Sequence, residues 1–345
     1  MIVAGNEAGR AGYRRAVQSS GNFAALAEGW RDAAVLVVGD ALLDGWLCGT
    51  PTRLSSEAPV PVITLDTTRE VCGGAANTAA NFAALGARTT LVGAVGDDDA
   101  GARLRTCVWD GGVADRMVTA VGRHTVTKRR VVADNYVLVR FDDGDTSPLG
   151  PDAVETLVRR LEEALSGDPR PDAVVVCDHG IGTLGPQVRA LLGDRRLELP
   201  LLAVDAHDLA SWASIGPDLV TPNRDEADRV LGREPGRVAF DRQRDRGRLL
   251  RHTGAAVVAV TLDQEGSAVM SLDGESVGTA APPARGAHAT GAGGAYLAGF
   301  VLARLAGAGL VETADVAQRC ASMAIRSAGT AVVPEKMGVL QREPA

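Results

Sequence analysis

Lysine is almost missing from this 345-residue sequence: Lys128 and Lys336 are the only two, and every other strong base is arginine. The bias fits a GC-rich coding sequence, and it makes Lys128 conspicuous. No cluster of basic residues offsets the formal net charge of −7, which argues against a nucleic-acid binder. The five cysteines, Cys48, Cys72, Cys107, Cys177 and Cys320, are scattered without a C-x-x-C pair. Neither a zinc site nor a disulfide framework is therefore indicated, and isolated thiols fit a reducing cytoplasm, the expected location. No apolar run is long enough to span a membrane, so no membrane partner is expected. Residues 1–32 lack the basic-then-apolar order of a secretory signal and read as an N-terminal extension.

What is present is ordinary globular composition, with 23% charged residues, and enough chain for one large α/β domain. Ala33–Val38 is an unbroken apolar run ending in Gly39-Asp40, the pattern of a central parallel strand buried on both faces. Residues 58–65 carry two prolines and read as an edge strand or lid. A small-residue helix follows Gly73-Gly74 and closes at Gly86. Strands are expected at 89–95, 173–177, 201–204, 219–221 and 256–261, with a helix at 152–165. Hairpins are expected at 125–142, turning at Asp134-Asn135, and at 267–277. A very basic helix over 237–251 reads as a solvated face, and helical tracts at 295–306 and 312–327 close the chain. Strands alternating with helices predict a mostly parallel sheet covered on both faces, with right-handed crossovers. The proline-bearing strand and the 125–142 hairpin break that alternation and suggest a small β lid.

Several turns carry chemistry. Thr290-Gly291-Ala292-Gly293-Gly294 runs into an apolar helix; glycines there let backbone N–H groups approach an anion, and the helix N-terminus adds partial positive charge. Asp44 lies just beyond the first strand, where open α/β sheets bind ligands; as a bland alternative it caps a turn. Asn223 and Glu226, three apart, read equally as a helix capping pair. Lys128 is either an exposed strand lysine or a partner for a phosphate.

Three separated motifs, Gly39-Asp40-Ala41-Leu42-Leu43-Asp44, Gly73-Gly74-Ala75-Ala76-Asn77 and Thr290-Gly291-Ala292-Gly293, together resemble the ribokinase/PfkB carbohydrate kinase family over roughly residues 33–335. Arg53–Val62, Thr125–Val131, Val139–Asp142 and Thr221–Glu226 make the chain most similar to the heptose-7-phosphate kinase branch, the kinase half of ADP-heptose synthesis enzymes. The nucleotidyltransferase half of the fused enzymes has no counterpart in this sequence.

The resemblance implies a ribokinase-like α/β fold over residues 33–340, with a β lid from about 48–66 and 125–142 and a homodimer formed through that lid. It implies a sugar phosphate held by Asp44, Gly73, Gly74, Asn77 and Lys128, with Arg140 helping and Asp178 facing the same cleft. It implies ATP and Mg²⁺ as cofactors. Gly291, Ala292 and Gly293 would cradle the phosphates, and Thr261, Asp263 and Gly266 would line the nucleotide pocket. Asn223 and Glu226 would organise the Mg²⁺ through water.

The last motif departs from the family pattern Asp-x-Thr-Gly-Ala-Gly-Asp. His288 stands at its first position and Gly294 at its last, where the resemblance puts the aspartate that takes the acceptor proton. A positioned base contributes about 10²–10⁴-fold in rate, although phosphoryl transfer also leans on positioning and charge stabilisation. The sequence therefore supports a sugar-phosphate kinase with impaired or altered catalysis. The alternatives are a non-catalytic pseudokinase that binds or regulates, or an enzyme with repurposed chemistry on a related sugar or nucleoside. Asp178 and Asp205, at neighbouring strand ends, are candidate substitute bases.

Overall fold

The computed structural model describes residues 23–134, 136–281 and 291–326. The expectations for residues 1–22, Asn135, His288, Thr290 and 327–340 lie outside these. A ten-stranded sheet forms the centre of the molecule, in the order β14-β13-β12-β11-β10-β9-β1-β4-β5, with β6 also pairing β4. Its parallel strands are β1 (Ala34–Gly39), β4 (Arg88–Gly96), β5 (Ala114–Asp115), β6 (Val118–Ala120), β9 (Ala173–Asp178), β10 (Leu202–Ala206), β11 (Leu219–Val220) and β12 (Val257–Thr261). Two antiparallel strands, β13 (Ser267–Ser271) and β14 (Ser276–Thr279), finish one edge.

Alternate residues of β1 explain the two layers. Val35 and Val37 enter one apolar cluster, Leu36 and Val38 the other, as successive side chains on a strand must. The first layer holds α1 (Phe23–Gly29), α2 (Ala75–Ala84), α3 (Asp99–Asp110), α8 (Ala292–Leu305) and α9 (Leu310–Arg326). The second holds α4 (Pro151–Leu165), α5 (Pro186–Asp194), α6 (Arg224–Val230) and α7 (Arg242–Thr253). Helix α8 is buried on every side from Gly294 to Ala303, which is why its sequence is apolar without a polar stripe.

A second sheet of four strands stands off the main one in the order β3-β2-β7-β8: β2 (Ala41–Leu54), β3 (Pro61–Gly74), β7 (Thr127–Ala133) and β8 (Tyr136–Asp143). A single residue, Asp40, separates the end of β1 from the start of β2, and β3 runs straight into α2. The base of this lid is thus tied to the carboxyl edge of β1. Two 14-residue strands stand where the residue pattern suggested one strand at 58–65 and the resemblance a lid over about 48–66. Gly45, Gly49 and Pro51 interrupt the local strand signal in β2, and long-range pairing with β3 and β7 overrides it.

The basic segment also differs from expectation. Helix α7 begins at Arg242, and Arg246 and Arg248 donate to the carbonyls of Ser271 and Leu231. These arginines pin the helix to its neighbours instead of forming a purely solvated face. No helix among the described residues is long and apolar enough to cross a membrane.

Candidate active site

Asp40 stands where the chain leaves the main sheet for the lid, and it is fully buried. Its carboxylate accepts from the backbone N–H groups of His179 (2.8 Å), Ile181 (3.1 Å) and Thr183 (3.1 Å). Its own carbonyl accepts from Ala75 N–H, and its N–H donates to Cys177. One residue thereby fixes β1, the loop after β9 and the first turn of α2 against each other. A buried carboxylate with three such donors is satisfied; removing it would strand all three amides. Gly74 caps α2 at φ +57°, and a β-carbon there would lie 2.2 Å from the Asp40 carbonyl oxygen. Only glycine fits that crossing.

The lid places charge directly above this junction. Asp44 on β2 sits opposite Lys128 on β7 in the parallel register, and Arg130 follows on the same face of β7. Arg130 donates to Asp44 Oδ1 at 2.7 Å and lies over the Trp46 ring, 5.1 Å from its centroid. Asp44 is buried and its other oxygen, Oδ2, lies against Gly73, where a β-carbon would come within 2.5 Å. Among the described residues Lys128 has neither a hydrogen bond nor an ion pair. Arg140 stands one strand further out, opposite Arg130, and makes a bidentate pair with Asp142 at 2.9 and 2.8 Å on the exposed strand β8.

At the carboxyl ends of β9, β10 and β11 two histidines and two carboxylates stand in a row. His179 Nε2 faces Asp205 Oδ2 at 3.5 Å. The His179 ring lies 5.3 Å from the His207 ring, and His207 Nδ1 contacts Glu226 Oε1 at 2.7 Å. Burial pushes the His179 imidazole down, but the hydrogen bond and charge of Asp205, with help from Asp40, outweigh it and leave its pKa above the ordinary value. Asp178 is turned toward the other layer, where its carboxylate accepts from the Trp212 indole N–H at 2.9 Å.

Asn223 and Glu226 form a reciprocal capping box at the start of α6. Glu226 N–H donates to Asn223 Oδ1 (2.9 Å), and Asn223 N–H donates to Glu226 Oε2 (2.8 Å). With Oε1 against His207, both Glu226 oxygens have partners, and the side chain is buried. Such a carboxylate reaches a cation through water more readily than directly. Next to it Thr221, at the end of β11, has a buried hydroxyl without a partner among the described residues. Thr261 ends β12 beside Asn223, and Asp263 (φ +51°) and Gly266 (φ +95°) form the turn into β13. A β-carbon at Gly266 would lie 2.3 Å from the Thr279 carbonyl, so glycine is required there by packing.

The N-terminus of α8 completes the site. Gly291 takes a left-handed conformation (φ +88°) as its cap, and Gly293 is exposed, with no heavy atom of the described residues within 4 Å of where a β-carbon would sit. The first N–H groups of a helix lack internal partners, so this open turn fits a phosphate. Mg²⁺ takes oxygen ligands and keeps several waters. The orphaned Thr221 hydroxyl and the water-reach position of Glu226 fit such an ion with a nucleotide; among the described residues no three His, Cys, Asp or Glu side chains converge to cage a metal.

Gly294 is buried one turn further along and packs on α2. A β-carbon there would come within 2.9 Å of both Asn77 Nδ2 and Thr78 Oγ1, and 3.3 Å of Thr78 Cα. Asn77 itself is only 5% exposed. Its amide donates to the Gly291 carbonyl at 3.4 Å and its side-chain oxygen accepts from Asn81 at 3.2 Å. In this arrangement Asn77 bridges α2 to α8.

The structure therefore brings Asp44, Gly73, Gly74 and Lys128 together, and gathers Asn77 with Gly291–Gly294 beside them. Arg140 shares the lid face of Arg130 but lies one strand further out, bonded to Asp142, and Asp178 is turned toward Trp212. Arg130, His179 and His207 join the site without having been singled out. For His179 a signal was available, since it immediately follows a strand-end aspartate in Cys177-Asp178-His179-Gly180. Arg130 and His207 depend on contacts across 86 and 19 residues, which no local pattern reveals.

A model of the pfkB family carbohydrate kinases matches residues 33–337. The bifunctional protein HldE of Gluconobacter oxydans is 35% identical over 312 residues, covering 89% of this chain and 64% of that protein. HldE of Paramagnetospirillum magneticum is 32% identical over 321 residues, covering 91% and 64%. The chain thus spans less than two thirds of the length of these curated relatives. Among solved structures, phosphofructokinase-2 from Escherichia coli in complex with substrates and products superposes with a TM-score of 0.74 at 18% identity, covering 90% of this chain and 98% of that one. Arabidopsis thaliana ribokinase complexed with ribose and ATP gives 0.67 at 18% identity, covering 91% and 100%. At such identity the likeness is one of fold.

Proposed function

Since this chain belongs to the pfkB family of carbohydrate kinases, we propose that it is a sugar-phosphate kinase of the heptose 7-phosphate type, binding ATP with Mg²⁺. The observation that carries this reading is the strand register that sets Lys128 on β7 beside Asp44 on β2, next to the Gly73-Gly74 turn. A carboxylate accepts hydrogen bonds from sugar hydroxyls, and an ammonium without a protein partner on the same face suits the sugar's phosphate. The open turn of α8 supports nucleotide phosphates on the other side. Thr261, Asp263 and Gly266 flank the nucleotide, and Asn223 and Glu226 reach the ion through water. When bound, the ion supplies charge neutralisation for the transferring phosphoryl group.

The lid doubles as the surface for a homodimer in this proposal. Edge strand β8 exposes Tyr136, Val137, Leu138, Val139 and Phe141 in a row, and an uncovered apolar edge is a site for pairing with a second chain. A cytoplasmic location accompanies the proposal, as do the absence of membrane and nucleic-acid partners.

A second reading is favoured by one observation, the close packing of Gly294 on Asn77 and Thr78. A pseudokinase that binds sugar phosphate and nucleotide without transfer would tolerate that closure. Isothermal titration with ATP–Mg²⁺ and heptose 7-phosphate, followed by product detection, separates the two. Binding of both with ADP release supports the kinase. Binding without transfer in the parent, with transfer appearing in Gly294→Asp, supports the pseudokinase. Binding of neither ligand removes both readings.

A further inference from the structure

We infer that His179, held by Asp205, takes the proton of the acceptor hydroxyl in place of a side chain at position 294; this rests on the kinase reading above. Three independent features of the site lead there. First, position 294 carries no side chain that could act as a base, and it is packed against α2, where a β-carbon would press on the Asn77 and Thr78 side chains at 2.9 Å. Second, the two ring nitrogens of His179 have different surroundings. Nε2 faces Asp205 Oδ2 at 3.5 Å, while Nδ1 faces the Gly73-Gly74 turn, 3.2 Å from where a Gly74 β-carbon would stand. A carboxylate on one nitrogen fixes the tautomer that leaves the lone pair on the other. Third, the backbone of His179 is anchored by Asp40, whose carboxylate accepts its N–H at 2.8 Å. The ring is thereby presented to the same glycine turn that Asp44 lines from the lid.

The step balances simply. The acceptor O–H bond breaks and its proton passes to His179 Nδ1. The oxygen forms a bond to the γ-phosphorus of ATP, the bond from that phosphorus to the β,γ-bridging oxygen breaks, and ADP leaves. The resulting imidazolium is stabilised by Asp205. The titratable groups around the ring are Asp205 on β10, Asp40 at the junction of β1 and β2, Lys128 on β7, His207 beyond β10, and Cys177 and Asp178 at the end of β9. The carboxylates dominate, so the imidazole holds its proton to higher pH than usual. Base catalysis by His179 then rises with pH through a transition above the ordinary imidazole value of about 6.5.

The test uses the full chain with ATP–Mg²⁺ and heptose 7-phosphate, measuring both affinities by calorimetry and turnover by ADP release between about pH 6 and 9. The inference expects turnover in the parent with an ascending limb above about pH 6.5. His179→Gln should lower kcat roughly 100-fold or more and flatten that limb, with both affinities retained and thermal unfolding still cooperative. Asp205→Asn should move the limb to lower pH. Undiminished turnover in His179→Gln overturns the inference and leaves the kinase reading standing. Binding of both ligands by the parent without transfer at any pH also overturns it, leaving a binding protein. Failure to bind either ligand overturns the kinase reading itself and takes this inference with it.

Discussion

Gly294 packs so closely against Asn77 that a β-carbon at position 294 would lie 2.9 Å from the Asn77 amide nitrogen. The contact joins the first turns of α2 and α8, and the Asn77 amide strengthens it by donating to the Gly291 carbonyl. Overpacking of a closed interface costs about 1–3 kcal/mol, whereas a carboxylate near a helix N-terminus returns about 0.3–1 kcal/mol. Gly294→Asp is therefore expected to lower stability, with a fall in melting temperature of roughly 2–6 °C. Differential scanning calorimetry checks this; an unchanged or raised melting temperature would mean that the interface opens at no cost.

Lys128 faces the site from the lid without a protein anion of its own, whereas Arg130 is committed to Asp44. Lys128→Met should weaken heptose 7-phosphate binding by about tenfold or more, since charge-assisted contacts contribute about 1.5–3 kcal/mol. ATP affinity should stay unchanged. Equal losses for both ligands in calorimetry would place the lysine's effect on the lid as a whole.

His179 also gives stability a pH dependence of definite sign. Its folded-state pKa is raised, so its contribution is fully present below the unfolded value of about 6.5 and is lost as pH rises through the folded value. The melting-temperature difference between parent and His179→Gln should therefore be larger in mildly acidic than in alkaline buffer. The opposite trend would show that Asp205 does not hold the charged ring.

Away from the site, Arg233 bridges two buried carboxylates, Asp228 at 2.6 Å and Asp245 at 3.0 Å, joining α6 to α7. Burial works against the Asp245 charge, but Arg244, the Asp241 N–H and Arg233 together lower its pKa to about 2. Arg233→Met leaves both carboxylates without that partner and should cost about 3–5 kcal/mol at neutral pH. The Asp245 share of the stability is present above about pH 3.9 and lost as pH falls toward 2. Denaturant titration of parent and variant at pH 7 reads the difference, and a change below about 1 kcal/mol would contradict the pairing argument.

The main sheet was legible because its strands are short unbroken apolar runs ended by glycine or aspartate, as in Val35–Val38 before Gly39-Asp40. Helix α3 was not: it opens on the acidic run Asp97-Asp98-Asp99, where Asp98 caps it by accepting from Gly101 N–H. Strand β2 was hidden by its own glycines and proline, since its order comes from partners on either side. In the site, residue types were readable where a turn announces them, as at Gly73-Gly74. What each side chain touches was not. The Asn223/Glu226 pair carries both a local meaning, the capping box, and a distant one through His207, and only the first is written in the spacing. The closure at Gly294 depends on a helix more than 200 residues away, beyond the reach of any sequence pattern.

The central claim is that the lid and the Gly73-Gly74 turn hold a phosphorylated sugar, with Lys128 recognising the phosphate. Calorimetric titration of the full chain with heptose 7-phosphate and, in parallel, with the same heptose lacking its phosphate tests it most directly. The account predicts saturable binding of the phosphorylated sugar, at least about tenfold tighter than the free sugar. No binding of heptose 7-phosphate, or equal affinity for the two sugars, would contradict it.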